Sequence, residues 1–199
     1  MVFLIVIYQQ GVKLFMTYHS GNQLVDPQML FEKSHLQPGM HVADLGCGRT
    51  GHIVFPAAQI IGERGVVYAI DILKDVLQNI VKRACINGMT NVHAIWADIE
   101  QAGHTSIPEK SIDVIFLINT LVQTKNDRAV LDEAARIGKD KVRIVLVDWV
   151  RSGLSFSPPE ADFADFNDVR LWAQEKNFAV AEEFKAGPYH NGLILYRHE

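Results

Sequence analysis

The chain has 199 residues, 48% of them apolar and 21% charged, with a net charge of −4. That length fits one domain able to bury its own core without metals or disulfides, and the acidic balance argues against the broad basic footprint that DNA or RNA binding needs. The 2 cysteines, Cys47 and Cys85, offer neither a disulfide framework nor a metal-ligand spacing, which points to a reducing cytoplasm and to no metal site.

In chain order, the apolar start "MVFLIVIYQQ" is far too short to span a bilayer, and it lacks the basic flank and small-residue cleavage site of a signal peptide. Residues 1–22 are therefore expected to be an extension. They are either an over-long start ahead of Met16 or an arm in which Tyr18 and His19 fold over a pocket. A single domain is expected over residues 23–199. Asp26 caps a first helix that has Pro27 at its first position. The strand "HVADL" follows a Pro-Gly turn and ends in Asp44. Glycines 46, 48 and 51 come next, then a helix "VFPAAQII", where Pro56 is tolerable only in the first turn.

"GVVYAID" reads as a buried strand, and residues 73–89 as an amphipathic helix with Val76, Leu77, Ile80, Val81 and Ala84 facing inward. "NVHAIWAD" and "SIDVIFLINTL" are strands, the second apolar throughout, as a strand covered on both faces must be. A helix capped by Asn126 or Asp127 runs to Gly138, the strand "KVRIVLVDW" starts at Lys141, and another helix covers residues 162–177. Two strands, "FAVAEEFKAG" and "NGLILYRH", end the chain with only "PYH" between them. Repeated strand–helix alternation gives an α/β fold with helices on both faces of a parallel sheet, and the hairpin makes the last strand antiparallel.

The glycines pose a choice of nucleotide. A nucleoside-triphosphate loop needs Gly-Lys-Ser/Thr, which "GCGRTGH" lacks; the dinucleotide pattern GxGxxG is met literally, but a lone match decides little. Asp44 is more informative. A carboxylate two residues before the first glycine would oppose a pyrophosphate, yet it suits a ligand that carries an ammonium and a sulfonium. Asp71 ends the next strand, where a carboxylate can accept from both ribose hydroxyls, and Asp98 ends the third, where it can accept from an adenine amino group. Three successive strands ending in Asp at one sheet edge mark a nucleoside site, because ligands of open α/β sheets bind at the carboxyl ends of strands.

"VADLGCGRTG", "VYAID", "WADIE" and "IDVIFLINTL" resemble the successive motifs of class I S-adenosylmethionine-dependent methyltransferases, over about residues 26–197. The C-terminal "VDW", "PP" and "GPYHNGLILYR" further resemble small bacterial and archaeal enzymes of the ubiquinone/menaquinone-biosynthesis and arsenite methyltransferase-like group. This resemblance implies a Rossmann-like three-layer sandwich with a seven-stranded, mostly parallel sheet in the order 3-2-1-4-5-7-6, strand 7 antiparallel. It also implies S-adenosylmethionine as cofactor. The Gly46, Cys47 and Gly48 loop would hold its methionine part with Asp44. Asp71 with Ile72 would hold the ribose, Asp98 and Ile99 would flank the adenine, and Asn119 would lie near the methyl group.

Methyl transfer from a sulfonium is an in-line displacement on an activated carbon, so proximity supplies most of the catalysis, on the order of 7 kcal/mol or more in good cases. A general base is needed only for an acceptor proton of high pKa. At the edge where the cofactor sits, Asp148 and Trp149 end strand 5, and Tyr189 and His190 of the hairpin turn are the best-placed proton acceptors; His104 stands alone in a loop. Negative signs prune the acceptor. No Asn/Asp-Pro-Pro-Tyr/Phe follows strand 4, which disfavours adenine-N6 and glutamine acceptors. Two scattered cysteines disfavour arsenite, and "IGKDK" replaces the Pro-Gly-Gly turn of ubiquinone-pathway enzymes. A small, fairly apolar acceptor methylated at oxygen, carbon or nitrogen is therefore expected, on a monomer or homodimer without a membrane span. The alternatives are a non-catalytic cofactor-binding or partner subunit, an NAD-type oxidoreductase, and an RNA methyltransferase.

Overall fold

Strands and helices alternate along residues 24–197, the part of the chain that the computed structural model describes. The expected extension over residues 1–22, with Tyr18 and His19, lies outside the described residues. Helix α1 (Pro27–Lys33) starts where the Asp26 side chain accepts from Gln28 N at 2.9 Å. Strand β1 (His41–Leu45) leads into α2 (Val54–Ile61), in which Pro56 does sit in the first turn, where its missing N–H would have had no partner in any case. Then come β2 (Val66–Asp71), α3 (Lys74–Ile86), β3 (Val92–Trp96) and β4 (Ile112–Ile118). Helix α4 (Asp127–Ile137) follows, its cap being Asn126, whose side chain accepts from Ala129 N. The chain closes with β5 (Gly138–Trp149), α5 (Phe166–Glu175), β6 (Phe178–Lys185) and β7 (His190–Arg197).

The seven strands form one sheet in the order β3-β2-β1-β4-β5-β7-β6. Strands β1 to β5 pair in parallel, and β7 is antiparallel to both β5 and β6. This is the seven-stranded Rossmann-like sandwich expected from the sequence. The chain winds outward from β1 through β2 to β3, then returns to start β4 on the other side of β1. That reversal opens a crevice at the carboxyl ends of β1 and β4.

Two apolar cores cover the two faces. On one, α1, α2 and α3 pack against Val114, Phe116, Val145 and Val147; on the other, α4 and α5 pack against Ile115, Leu117, Ile144 and Leu146. Successive strand residues thus alternate between cores, and for this reason β4 and the second half of β5 read as continuous apolar runs.

Three local expectations differ from the structure. Val81 is 54% exposed, because at about 100° per residue it falls on the shoulder of the α3 stripe set by Val76, Leu77, Ile80 and Ala84. Gly138 caps α4, its N–H donating to Ala134 O, but its backbone is already extended (φ −72°, ψ 137°) and it opens β5 three residues earlier than expected. A Cβ at Gly138 would stand 2.7 Å from Val142 Cγ1, so the direct passage from helix to strand needs glycine. Finally, β3 ends at Trp96, which leaves Asp98 in the following loop rather than on the strand.

Candidate active site

The glycine loop leaves β1 folded back against β2: Gly46 N and Cys47 N both donate to Ile70 O at 2.9 Å. Gly46 has φ +83°, and a Cβ there would meet Thr120 Oγ1 at 3.0 Å. Thr120 follows β4 and donates from Oγ1 to Leu45 O at 2.8 Å, which fastens the post-β4 turn to the end of β1. A Cβ on Gly51 (φ +55°) would clash with the Phe55 ring at 2.6 Å, so that glycine serves helix packing. The loop is a tight backbone surface held by β2 on one side and by the end of β4 on the other.

Asp71 closes it. Its Oδ2 accepts from Gly48 N at 3.1 Å and its Oδ1 accepts from Leu73 N at 2.9 Å. A carboxylate offers about four lone-pair positions, so two remain for a ligand. Asp44 is 2% exposed, and burial pushes its carboxyl up to about 8, with the charge of Asp71 adding to the shift. A buried acid beside a second acid is poised to take up a cation, which would restore its ionisation. Burial, with Asp44 and Asp71 adding to it, also pushes the Cys47 thiol up, so it is no nucleophile here.

Farther along the edge the pattern loosens. Asp98 is half-buried, and its oxygens accept from Glu100 N at 3.0 Å and Gln101 Nε2 at 2.7 Å. Ile99 is half-buried beside it, whereas Ile72 is 54% exposed. Asn119, one residue past β4, is fully buried with φ +55°; its N–H donates to Val147 O at 2.8 Å. A non-glycine residue in that backbone region is uncommon, and Asn is among the types that tolerate it.

Asp148 and Trp149 end β5 at the same edge. The buried Asp148 carboxylate ties two segments together, accepting from Val122 N at 3.1 Å and from Trp149 N at 2.8 Å. Burial pushes it up to about 7 against the pull of those N–H groups. His190 pairs with Trp149 across the sheet, and the two rings lie 4.3 Å apart. Fully buried, His190 has no hydrogen-bond partner for either ring nitrogen among the described residues, and burial pushes its imidazole down to about 4. Tyr189 holds the edge through its backbone, accepting from Val150 N at 2.9 Å. His104 is exposed in a distant loop.

Beyond β4 and β5 a cavity of about 780 Å³ opens between residues 121–128 and the loop after β5. Its size falls within the roughly 300–1,000 Å³ of small-molecule sites. Trp149, Phe156 and Phe163 line one side of it; Tyr189 and His190 do not line it. Phe156, Phe163 and Thr120 are site residues with no motif of their own in the sequence. The available signal for the first two was an aromatic residue on either side of Pro158 and Pro159, Phe156 in a stretch without periodicity and Phe163 at the start of the helix expected over residues 162–177. Among the described residues no group of 3 or more His, Cys, Asp or Glu could hold a metal ion, and no helix is long and apolar enough to cross a membrane.

Comparison with known proteins bears on the family and the fold. An aklanonic acid methyltransferase of Streptomyces sp. strain C5 is 34% identical over 134 residues, which are 64% of this chain and 56% of that protein. A nocamycin O-methyltransferase of Saccharothrix syringae is 33% identical over 92 residues, 46% of this chain and 28% of that one. The chain thus matches between about a quarter and just over half the length of these curated relatives. A crystal structure of a SAM-dependent methyltransferase from Aquifex aeolicus has the same fold, with a TM-score of 0.77 and 23% identity over 89% of this chain and 93% of that one. A family profile described as a methyltransferase domain matches residues 36–185. The chain belongs to this methyltransferase family, of class I, and S-adenosylmethionine is its expected cofactor.

Proposed function

We propose that the protein transfers a methyl group from S-adenosylmethionine to a small, fairly apolar acceptor, at oxygen in preference to carbon or nitrogen. The observation that carries this is the buried Asp44 beside the half-buried Asp71 at the glycine loop. The donor set fits the cofactor. Asp44 is a buried carboxyl subject only to burial and to a second negative charge, which a ligand ammonium relieves, and a pyrophosphate would worsen the same repulsion. This also weighs against the NAD-type alternative. Asp71, with Ile72 beside it, keeps lone pairs for two ribose hydroxyls, and Asp98 with Ile99 would flank the adenine.

When bound, S-adenosylmethionine supplies a methyl carbon already activated by its sulfonium. The chain's own residues bind, orient and exclude water. Gly46, Cys47 and Gly48 present backbone to the methionine part, and Asn119 stands at the switch point between the cofactor loop and the cavity. Trp149 and the post-β4 turn, joined through Asp148, hold the acceptor side fixed. Such positioning contributes on the order of 7 kcal/mol or more to a transfer of this kind. Burial holds the His190 imidazole down to about 4, which makes it a weak base, and it packs on Trp149 outside the cavity lining, so it is a positioning residue in this reading. Oxygen is preferred because one relative is named as an O-methyltransferase.

The test is turnover. Incubating the full chain with S-adenosylmethionine and a panel of phenols, quinols and amines should release S-adenosylhomocysteine with at least one hydroxyl acceptor and transfer one methyl per event. Cofactor binding without turnover on any class would favour the non-catalytic subunit. Turnover on transcribed RNA alone would favour the RNA alternative.

A further inference from the structure

We propose that the acceptor is an uncharged planar aromatic molecule bearing hydroxyl groups, and that it docks against Trp149, Phe156 and Phe163 in the cavity beyond β4 and β5. This rests on the methyl-transfer reading above and names the substrate class of that site.

The loop after β5 crosses residues 150–165 with little regular structure, yet it brings two large rings to the cavity. Phe156 is 41% exposed although it meets the buried Trp149 edge-on, with ring centroids 6.3 Å apart and planes at 77°. A half-open phenyl ring beside an indole leaves apolar area in water that a flat ligand would cover, and aromatic pairs favour such offset or edge contacts beyond simple area burial. Trp149, only 1% exposed, braces the Phe156 ring from within the sheet edge. Asp148 Oδ1 holds its backbone N–H at 2.8 Å, and the His190 ring lies against it at 4.3 Å. A fixed wall suits a rigid planar ligand better than a flexible chain, because neither partner loses much conformational freedom on binding.

Charge sets the second half of the class. Arg128 lines the cavity but is already committed, with Nη2 to Asp168 Oδ1 and Nη1 to Glu175 Oε2, each at 2.7 Å. That leaves exposed Lys125 against Asp127 and Asp162 on the lining, which is no positive surplus for a carboxylate ligand. Among the remaining polar groups, Thr124 Oγ1 is bonded to Leu121 O and Asp127, Gln123 Nε2 donates to Asn119 O at 2.6 Å, and Asn126 Oδ1 accepts from Ala129 N at 3.1 Å. Gln123 Oε1 and Asn126 Nδ2 are left to match hydroxyls of a neutral molecule.

The probe is 1-naphthol, compared with cyclohexanol and 1-naphthoate, titrated by calorimetry into the full chain saturated with S-adenosylhomocysteine. The expected result is one molecule of 1-naphthol bound per chain, more tightly than either comparator. Phe156→Ala should weaken it roughly 5- to 10-fold, while Trp149→Phe, which keeps a ring, should weaken it less than about threefold. S-adenosylhomocysteine affinity should stay within about twofold in both variants. Equal affinity for cyclohexanol overturns the aromatic class, tighter 1-naphthoate overturns the uncharged class, and an unaffected Phe156→Ala overturns the location. If the chain binds S-adenosylhomocysteine but no 1-naphthol, the inference fails and the methyl-transfer reading stands. Failure to bind S-adenosylhomocysteine at all overturns both.

Discussion

Across β1, β2 and β3 the carboxyl edge of the sheet is made of strand ends, backbone donors and carboxylates. Across β4, β5 and β7 it is made of rings carried on a long loop. The first half is held locally: Gly46, Cys47 and Gly48 hydrogen-bond to β2, and Asp71 spans two backbone N–H groups within reach of the loop. The second half depends on contacts between Trp149, Phe156 and His190, which come from separate parts of the chain. In the proposed reading, a constant ligand is held by backbone geometry that few sequences can provide, and a variable acceptor by side chains that many can.

Asp44 separates the two halves of the edge most clearly. Replacing it by Asn keeps the shape of a buried side chain but removes the charge, so S-adenosylhomocysteine affinity should fall roughly 10- to 100-fold, the worth of a charge-assisted hydrogen bond. Naphthol binding to cofactor-saturated protein should be unchanged. Calorimetry on wild type and D44N checks both halves.

Acidity sharpens the same point. With its carboxyl near 8 in the unliganded protein, Asp44 must release a proton to pair with an ammonium. S-adenosylhomocysteine affinity should therefore rise by up to about tenfold per pH unit from 6 to 8 and level off above 8; D44N should show a flat profile. The sign for stability is opposite. The folded value lies above the ordinary 3.8, so the contribution of Asp44 to folding is complete below 3.8 and is lost as pH rises to about 8. Thermal melts without ligand should show D44N lacking that decline.

Gly46→Ala probes the loop itself. A side chain at φ +83°, with Thr120 Oγ1 only 3.0 Å away, should cost about 1–3 kcal/mol in urea unfolding. The smallest effect is expected at His190. Its folded-state value near 4 lies below the ordinary 6.5, so its contribution to stability is complete above 6.5 and fades as pH falls toward 4. His190→Leu removes a buried polar group without partners among the described residues, so it should change the melting temperature little at pH 8 and lose the acid-side decline.

Much of this edge was legible in the sequence because its determinants are local. Period-2 and period-3.6 patterns place each strand beside its helix, and Asp44, Gly46, Gly48 and Asp71 fall within one strand–loop–helix–strand unit. The terminal hairpin reveals the antiparallel strand because no helix fits in "PYH". Patterning alone puts Asp98 on its strand, because an apolar run does not say where pairing with β2 stops. The acceptor side was hardly legible: whether Phe156 meets Trp149 depends on how residues 150–165 cross the sheet edge, and no periodicity encodes that path. The same holds for His190, whose position was foreseen but whose burial, and hence its neutral state, depends on packing against Trp149.

The most direct test of the central claim, that the acidic edge holds a cationic, phosphate-free cofactor, is calorimetry of the full chain with S-adenosylhomocysteine and with NAD at pH 8. One S-adenosylhomocysteine bound per chain, weakened at pH 6, with no heat from NAD, is the predicted result. Saturable binding of NAD with none of S-adenosylhomocysteine would contradict it.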